Sequence, residues 1–179
     1  MQLHRIWIEE LCSGPATSSI ETVRIDLLND TVGSGFAARY EELMRKVEEL
    51  AAPLSNDQFW SKPFSFGNSF GHLVLHLTGN LNYYIGAEIG SSGYIRDRPR
   101  EFAETAPPSK NEALKDLAEA VTTVARTAKA QAEDDWGRFY KAAREEDAEN
   151  RFNIFLRCAT HFHLHVGEMT YLQFALLKK

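Results

Sequence analysis

The sequence predicts an all-α protein built as a four-helix bundle, and three observations carry that prediction. Apolar residues recur at spacings of three and four in four separate segments, no segment shows the alternation of a strand, and helix-start capping residues stand ahead of several of them. At 179 residues, with 44% hydrophobic and 25% charged, the chain is long enough for one cored domain and short for two. We divide it into an N-terminal extension, residues 1–31, and a bundle domain, residues 32–179.

The extension mixes the breakers Gly14 and Pro15 with Thr17, Ser18 and Ser19, and has only a weak apolar pattern from Val23 to Leu28; a strand or a short helix on the body suits it equally. From Phe36 the spacing becomes regular. Phe36, Tyr40, Leu43, Val47 and Leu50 line one stripe of a first helix, which ends before Pro53. Ser55 caps a short turn to Trp60, and a loop of Pro63, Gly67 and Asn68 leads to Ser69, the N-cap of the second helix.

That helix is expected from Phe70 to Ile89, with Phe70, Leu73, Leu77 and Tyr84 inward and Gly90 as its stop. Gly71, Gly79 and Gly86 inside it each cost about 1 kcal/mol relative to alanine, so a neighbouring element, most simply a packed helix, must approach closely there. Ser91 to Pro108 form a long connection carrying the charged run Arg96, Asp97, Arg98, Pro99, Arg100, which could hold an anionic co-substrate or form loop salt bridges. Ser109 and Glu112 open the third helix as a capping box, with Leu114, Leu117, Val121, Val124 and Ala128 as its stripe. After an irregular stretch from Asp134 to Tyr140, a fourth helix spans about Ala148 to Leu177, with Ile154, Cys158, His161, His165 and Leu172 along one side.

Charge and composition exclude several function classes. Twenty Lys and Arg against 25 Asp and Glu leave a formal net charge of −5, the wrong sign for a phosphate-backbone partner. No apolar run approaches the roughly 20 residues of a bilayer span, and Met1 to Leu11 lacks a signal core. We therefore expect a cytoplasmic protein with neither a nucleic-acid nor a membrane partner. Cys12 and Cys158 form no CxxC, which argues against a disulfide framework or a thiolate zinc knuckle.

Five of the six histidines fall in two clusters, His72 with His76 and His161 with His163 and His165. Residues four apart share a helix face with Cβ atoms about 6 Å apart, so His161 and His165 can converge on one ion from the interior stripe, with His76 as the third ligand from another helix. Three neutral imidazoles leave a divalent cation its full charge and an open position, and zinc so held brings the pKa of coordinated water to about 7 or keeps a thiol as thiolate. Two other arrangements fit the same residues: neutral core histidines bonded to carbonyls, and a closed, structural site using His72 as a fourth ligand. Cys158, three residues before His161, is within reach of the ion or is a small core hydrophobe. Asn80 either orients a ligand or bonds across the bundle. Glu168 is either a general base or outer-shell acceptor, or an exposed helix carboxylate. His163 reads as a surface residue, and His4 carries no signal. Neither HExxH nor Glu-x-x-His is present, so a zinc protease and a carboxylate-bridged di-iron bundle are not indicated.

The stretch Leu73 to Asn80, which reads L-x-L-H-L-x-G-N, the run Arg96 to Phe102, which reads R-D-R-x-R-E-F, and His161, His165, Gly167, Glu168 and Leu172 together resemble a bacterial subfamily of the DinB-like, or YfiT-like, metalloenzyme superfamily of four-helix bundles. The resemblance covers roughly Phe36 to Leu177. It implies that the family's histidine triad maps onto His76, His161 and His165, that the metal is zinc or nickel, and that the chain forms a homodimer through helix faces. It also implies a small-molecule substrate: some relatives look like transferases using low-molecular-weight thiols, others like mycothiol-dependent isomerases. The function expected is a metal-dependent thiol transferase or hydrolase acting on a small electrophile, the alternative being a non-catalytic, metal-stabilised stress or binding protein. Two features depart from the pattern: Glu168 stands where relatives often carry glutamine, and the first thirty residues extend beyond the usual start.

Overall fold

The computed structural model describes residues 16–103, 106–141, 144 and 148–178, with side chains from Asp30 onward. Four long helices dominate: α1 (Ala16–Ala51), α3 (Phe70–Leu81), α5 (Lys110–Lys129) and α7 (Arg151–Leu177). Three short ones, α2 (Asn56–Trp60), α4 (Arg100–Ala103) and α6 (Glu133–Trp136), lie in the connections. Among the described residues the β pairing is a single isolated bridge, Phe139 with Asn150. None of the described helices is long and apolar enough to cross a membrane.

α1 and α3 each pack on both α5 and α7, so the four long helices form a ring around one core. Their ends fix the directions. Lys110 at the start of α5 donates from Nζ to the carbonyls of Ala51 and Leu54 just past α1, and Gln173 near the end of α7 donates to the carbonyl of Leu50. Phe70 at the start of α3 meets Phe59 of α2 with ring centroids 5.3 Å apart, and Gln58 of α2 donates to the Leu176 carbonyl. The end of α1, the starts of α3 and α5 and the end of α7 therefore share one end of the bundle. Because α3 and α5 run the same way, the chain between them must return along the bundle, which is why residues 88–109 form a long crossover.

Local chemistry accounts for most boundaries. Ser55 and Ser109 both make capping boxes, the latter with Glu112, and the side chains of Ser69 and Asn150 accept from the backbone N–H groups of His72 and Asn153. Inside, Tyr40, Phe59, Phe70, Phe155 and Phe162 are fully buried, and the Tyr40 hydroxyl donates to the Phe155 carbonyl at 2.7 Å.

Three features differ from the sequence expectation. α1 begins at Ala16, twenty residues before Phe36, so part of the supposed extension is helix; residues 1–15 lie outside the described residues. Gly33 explains why α1 continues on the body here, since a Cβ on it would sit 2.8 Å from the Ala128 carbonyl oxygen at the end of α5. The second helix is α-helical only to Leu81 and then widens into a π-helical turn, Asn82–Ala87. Its stop is not a left-handed Gly90: the chain reverses with positive φ at Ser91 (53°) and Gly93 (73°).

Candidate metal centre

α3 and α7 lie side by side, and at mid-height they bring three imidazoles together. His76 Nε2 is 2.9 Å from His161 Nε2, and His165 Nε2 is 3.2 Å from His161 Nε2. One ligand atom of each ring lies within 4.8 Å of the other two, and His76 is buried. The helix period does half of this: His161 and His165 are one turn apart on α7, with ring centroids 4.5 Å apart. Antiparallel packing of α3 does the rest.

The opposite edges of two rings are held by carboxylates. His76 Nδ1 is 2.8 Å from Glu101 Oε2, and His165 Nδ1 is 2.8 Å from Glu168 Oε2. Glu101 also accepts from Arg96, at 2.6 Å from Nε and 2.9 Å from Nη2. Burial raises the Glu101 carboxyl, but hydrogen bonds from His76 and Arg96 outweigh it and hold the group below its ordinary value, so it is an ionised acceptor. In the neutral rings the Nδ1 protons of His76 and His165 therefore point at carboxylates, which leaves both Nε2 atoms as lone pairs aimed at His161. Burial, reinforced by the neighbouring His165 and His76, lowers His161 to about 3. His165 is lowered too, because burial exceeds the opposing pull of Glu168.

This donor set fits a divalent cation. His161 carries at most one proton on Nε2 and cannot satisfy two facing lone pairs at once, whereas one cation satisfies all three. Metal–nitrogen bonds of about 2.0–2.1 Å in octahedral or tetrahedral geometry place nitrogens roughly 2.8–3.4 Å apart, and the separations from His161 Nε2 to His76 Nε2 and His165 Nε2 fall in that range. The three histidines can hold a metal, and the carboxylates behind two of them are the outer-shell partners such ligands require.

The sequence profile of the DinB superfamily matches residues 39–169. The chain belongs to the DinB superfamily. No curated protein matches it.

Within this DinB-superfamily bundle the other sequence candidates fall in different places. His72 is not the fourth member of the cluster: its Nδ1 faces Ser69 Oγ and its ring stands edge-on to Trp60. The closed four-histidine arrangement is therefore not formed. Cys158 is buried in the core, near enough to Tyr40 and Tyr140 to act on both phenols, and stands outside the cluster. His163 is exposed, with Nδ1 2.6 Å from an Arg39 guanidinium nitrogen on α1. Glu168 is committed to His165 as an orienting acceptor. Asn80 is buried, and its Oδ1 has no hydrogen-bond partner among the described residues, so of its two alternatives the bond across the bundle is not made by that atom.

Sequence reasoning missed Glu101. The charged run admits an anion cradle or loop salt bridges, and the salt bridge is what forms: Arg96 is occupied by Glu101, and Arg98 lies over the Phe102 ring. Gly79 was the available signal: a Cβ there would run into the Glu101 carboxylate. Gly71 is explained likewise by the Trp60 ring of α2, so at these two positions the close neighbours belong to the short helices α4 and α2 instead of a packed long helix. A cleft of about 1070 Å³ lies beyond Glu101, between α3, the crossover and α5; Gly79, Asn82, Tyr94 and Glu101 are among its walls, and none of the three histidines is.

Proposed function

We propose that His76, His161 and His165 hold one divalent ion, zinc or nickel, and that the chain acts on a small electrophilic molecule as a transferase using a low-molecular-weight thiol, or as a hydrolase. The observation that supports this reading is the convergence of three imidazole nitrogens whose tautomers are preset by carboxylates and whose cluster includes no fourth protein ligand among the described residues. A divalent ion on three neutral imidazoles keeps positions open for small molecules and lowers the pKa of a water or thiol that reaches it.

The remaining work falls to the chain. Glu101 and Glu168 hold the Nδ1 protons and keep the Nε2 lone pairs turned inward. Burial keeps His161 unprotonated at neutral pH. Asn80, one turn beyond His76, offers a buried carbonyl oxygen without a partner among the described residues, a place for a donor group of the substrate. Glu168, already bonded to His165, serves orientation better than proton abstraction.

A homodimer is proposed through the outer face of α7, where Leu156, Leu164, Tyr171 and Phe174 are exposed. Leu164→Glu is expected to shift the dimer toward monomer in sedimentation analysis.

The test of the central reading is metal analysis of protein purified without chelators, with thiol-transfer and hydrolysis assays of the wild type and His165→Ala. About one ion per chain, with metal-dependent turnover lost in the variant, is expected. Far less than one ion, with no uptake of added zinc or nickel, overturns the reading. A full metal complement without turnover, and with lower thermal stability in His165→Ala, replaces it with a metal-stabilised binding or stress protein.

A further inference from the structure

We propose that Glu101 is a positioning residue for the metal centre, through which the crossover segment, residues 91–103, and the ion stabilise one another; this rests on the reading of the triad as a metal site. The two carboxylates behind the triad are not equivalent. Glu168 is three residues from His165 on the same helix, with its side chain 49% exposed, so it orients that ring without tying down any other element. Glu101 comes from a different part of the chain and is 6% exposed.

Several contacts pin Glu101 in place. Arg96, its side chain 8% exposed, grips both carboxylate oxygens while its guanidinium lies over the Tyr84 ring, 5.4 Å from the centroid. The next residue, Phe102, places its ring 4.9 Å from the His76 imidazole. α3 is fitted to the same carboxylate, because only a residue without a Cβ at position 79 leaves room for it. The crossover thus meets His76 through one buried, fully engaged acid and one aromatic ring.

Linkage follows from that geometry. A carboxylate accepting the Nδ1 proton aligns the Nε2 lone pair and raises its basicity, and a cation on Nε2 makes the Nδ1–H a stronger donor to the carboxylate. Whatever factor the docked crossover contributes to metal affinity, the metal must return to the docking of the crossover. Disrupting the Glu168 contact carries no such consequence for residues 91–103.

The experiment uses the full chain, with zinc affinity measured by competition against a chelator and amide hydrogen exchange followed over residues 91–103 with and without zinc. Zinc is expected to slow exchange of this segment in the wild type. Glu101→Gln, and independently Gly79→Ala, which crowds the carboxylate but keeps it, should weaken zinc binding about 10–100-fold and abolish the zinc-dependent slowing. Glu168→Gln should weaken binding and leave the slowing intact. Unchanged exchange in the wild type on zinc binding overturns the proposal without recourse to any variant, as does wild-type zinc affinity in both Glu101→Gln and Gly79→Ala. A wild type that binds no zinc or nickel removes the metal centre itself, and its coupling to the crossover with it, an outcome distinct from zinc binding that ignores Glu101.

Discussion

The Nε2 atoms of His76 and His161 lie 2.9 Å apart, though 85 residues separate them in the chain. Two ring nitrogens at that distance must share a proton or a cation, since two facing lone pairs repel. With His76 donating from Nδ1 to Glu101, and His165 adding a further lone pair 3.2 Å from the same His161 nitrogen, one proton cannot serve all three. This relationship makes His161 the centre of the cluster.

His161→Ala should therefore cost more metal affinity than any change behind the ligands. A loss above about 100-fold is expected, against roughly 10–100-fold for an outer-shell substitution. Chelator competition on the wild type, His161→Ala and Glu168→Gln checks the order. Equal losses in the two variants would contradict the central position of His161.

The metal-free protein should lose stability in mild acid. His161 is lowered to about 3 from 6.5, so between those values the unfolded chain binds a proton that the folded chain refuses, and folding stability falls as pH falls. Glu101, held below its ordinary value of 4.5, acts in the same direction as pH falls below that value, where the unfolded chain takes up a proton that the folded chain still refuses. The slope from His161 is at most about 1.4 kcal/mol per pH unit. Urea midpoints from about pH 7.5 to about pH 4 should decline in the wild type and decline less in His161→Gln; identical slopes would show that His161 is not the group responsible.

Tyr40→Phe removes one buried hydrogen bond without changing the packed ring. The hydroxyl donates to the Phe155 carbonyl at 2.7 Å from a fully buried position, so a loss of about 1 kcal/mol is expected in chemical denaturation. Metal content should not change.

Gly71→Ala should destabilise the end of the bundle where α2 docks. Its Cβ would enter the Trp60 ring, which packs edge-on against both Phe59 and His72, so the ring and α2 must shift together. A cost of about 1–3 kcal/mol is expected, well beyond any gain in helix propensity. Tryptophan fluorescence should change with it, and an unaltered spectrum with unaltered stability would refute the contact.

The helical class, the capped starts of α2, α3 and α5 and the inward face of α7 were all legible in local spacing. Ser109 with Glu112, or His161 with His165, meet because a helix of fixed pitch brings residues three or four apart together. His76 could be paired with them from its place on an apolar face and from the resemblance to the DinB-like group. The start of α1 was not legible, because the run Thr17, Ser18 and Ser19 and the weak apolar pattern from Val23 to Leu28 announce no helix, and the contact of Gly33 with the Ala128 carbonyl exists only once α5 is in place. Nor was the π-helical turn at Asn82–Ala87, which no apolar period announces.

By itself the sequence determined which faces are buried and that His161 can meet His165, since both follow from periodicity along single helices, whereas His76 joins them only through the packing of α3 on α7. Tertiary structure alone decided that Glu101 stands behind His76 and that position 79 must leave room for its carboxylate. Those outcomes depend on where a crossover segment comes to rest against a helix formed elsewhere in the chain, and contacts between distant segments leave no regular spacing to read.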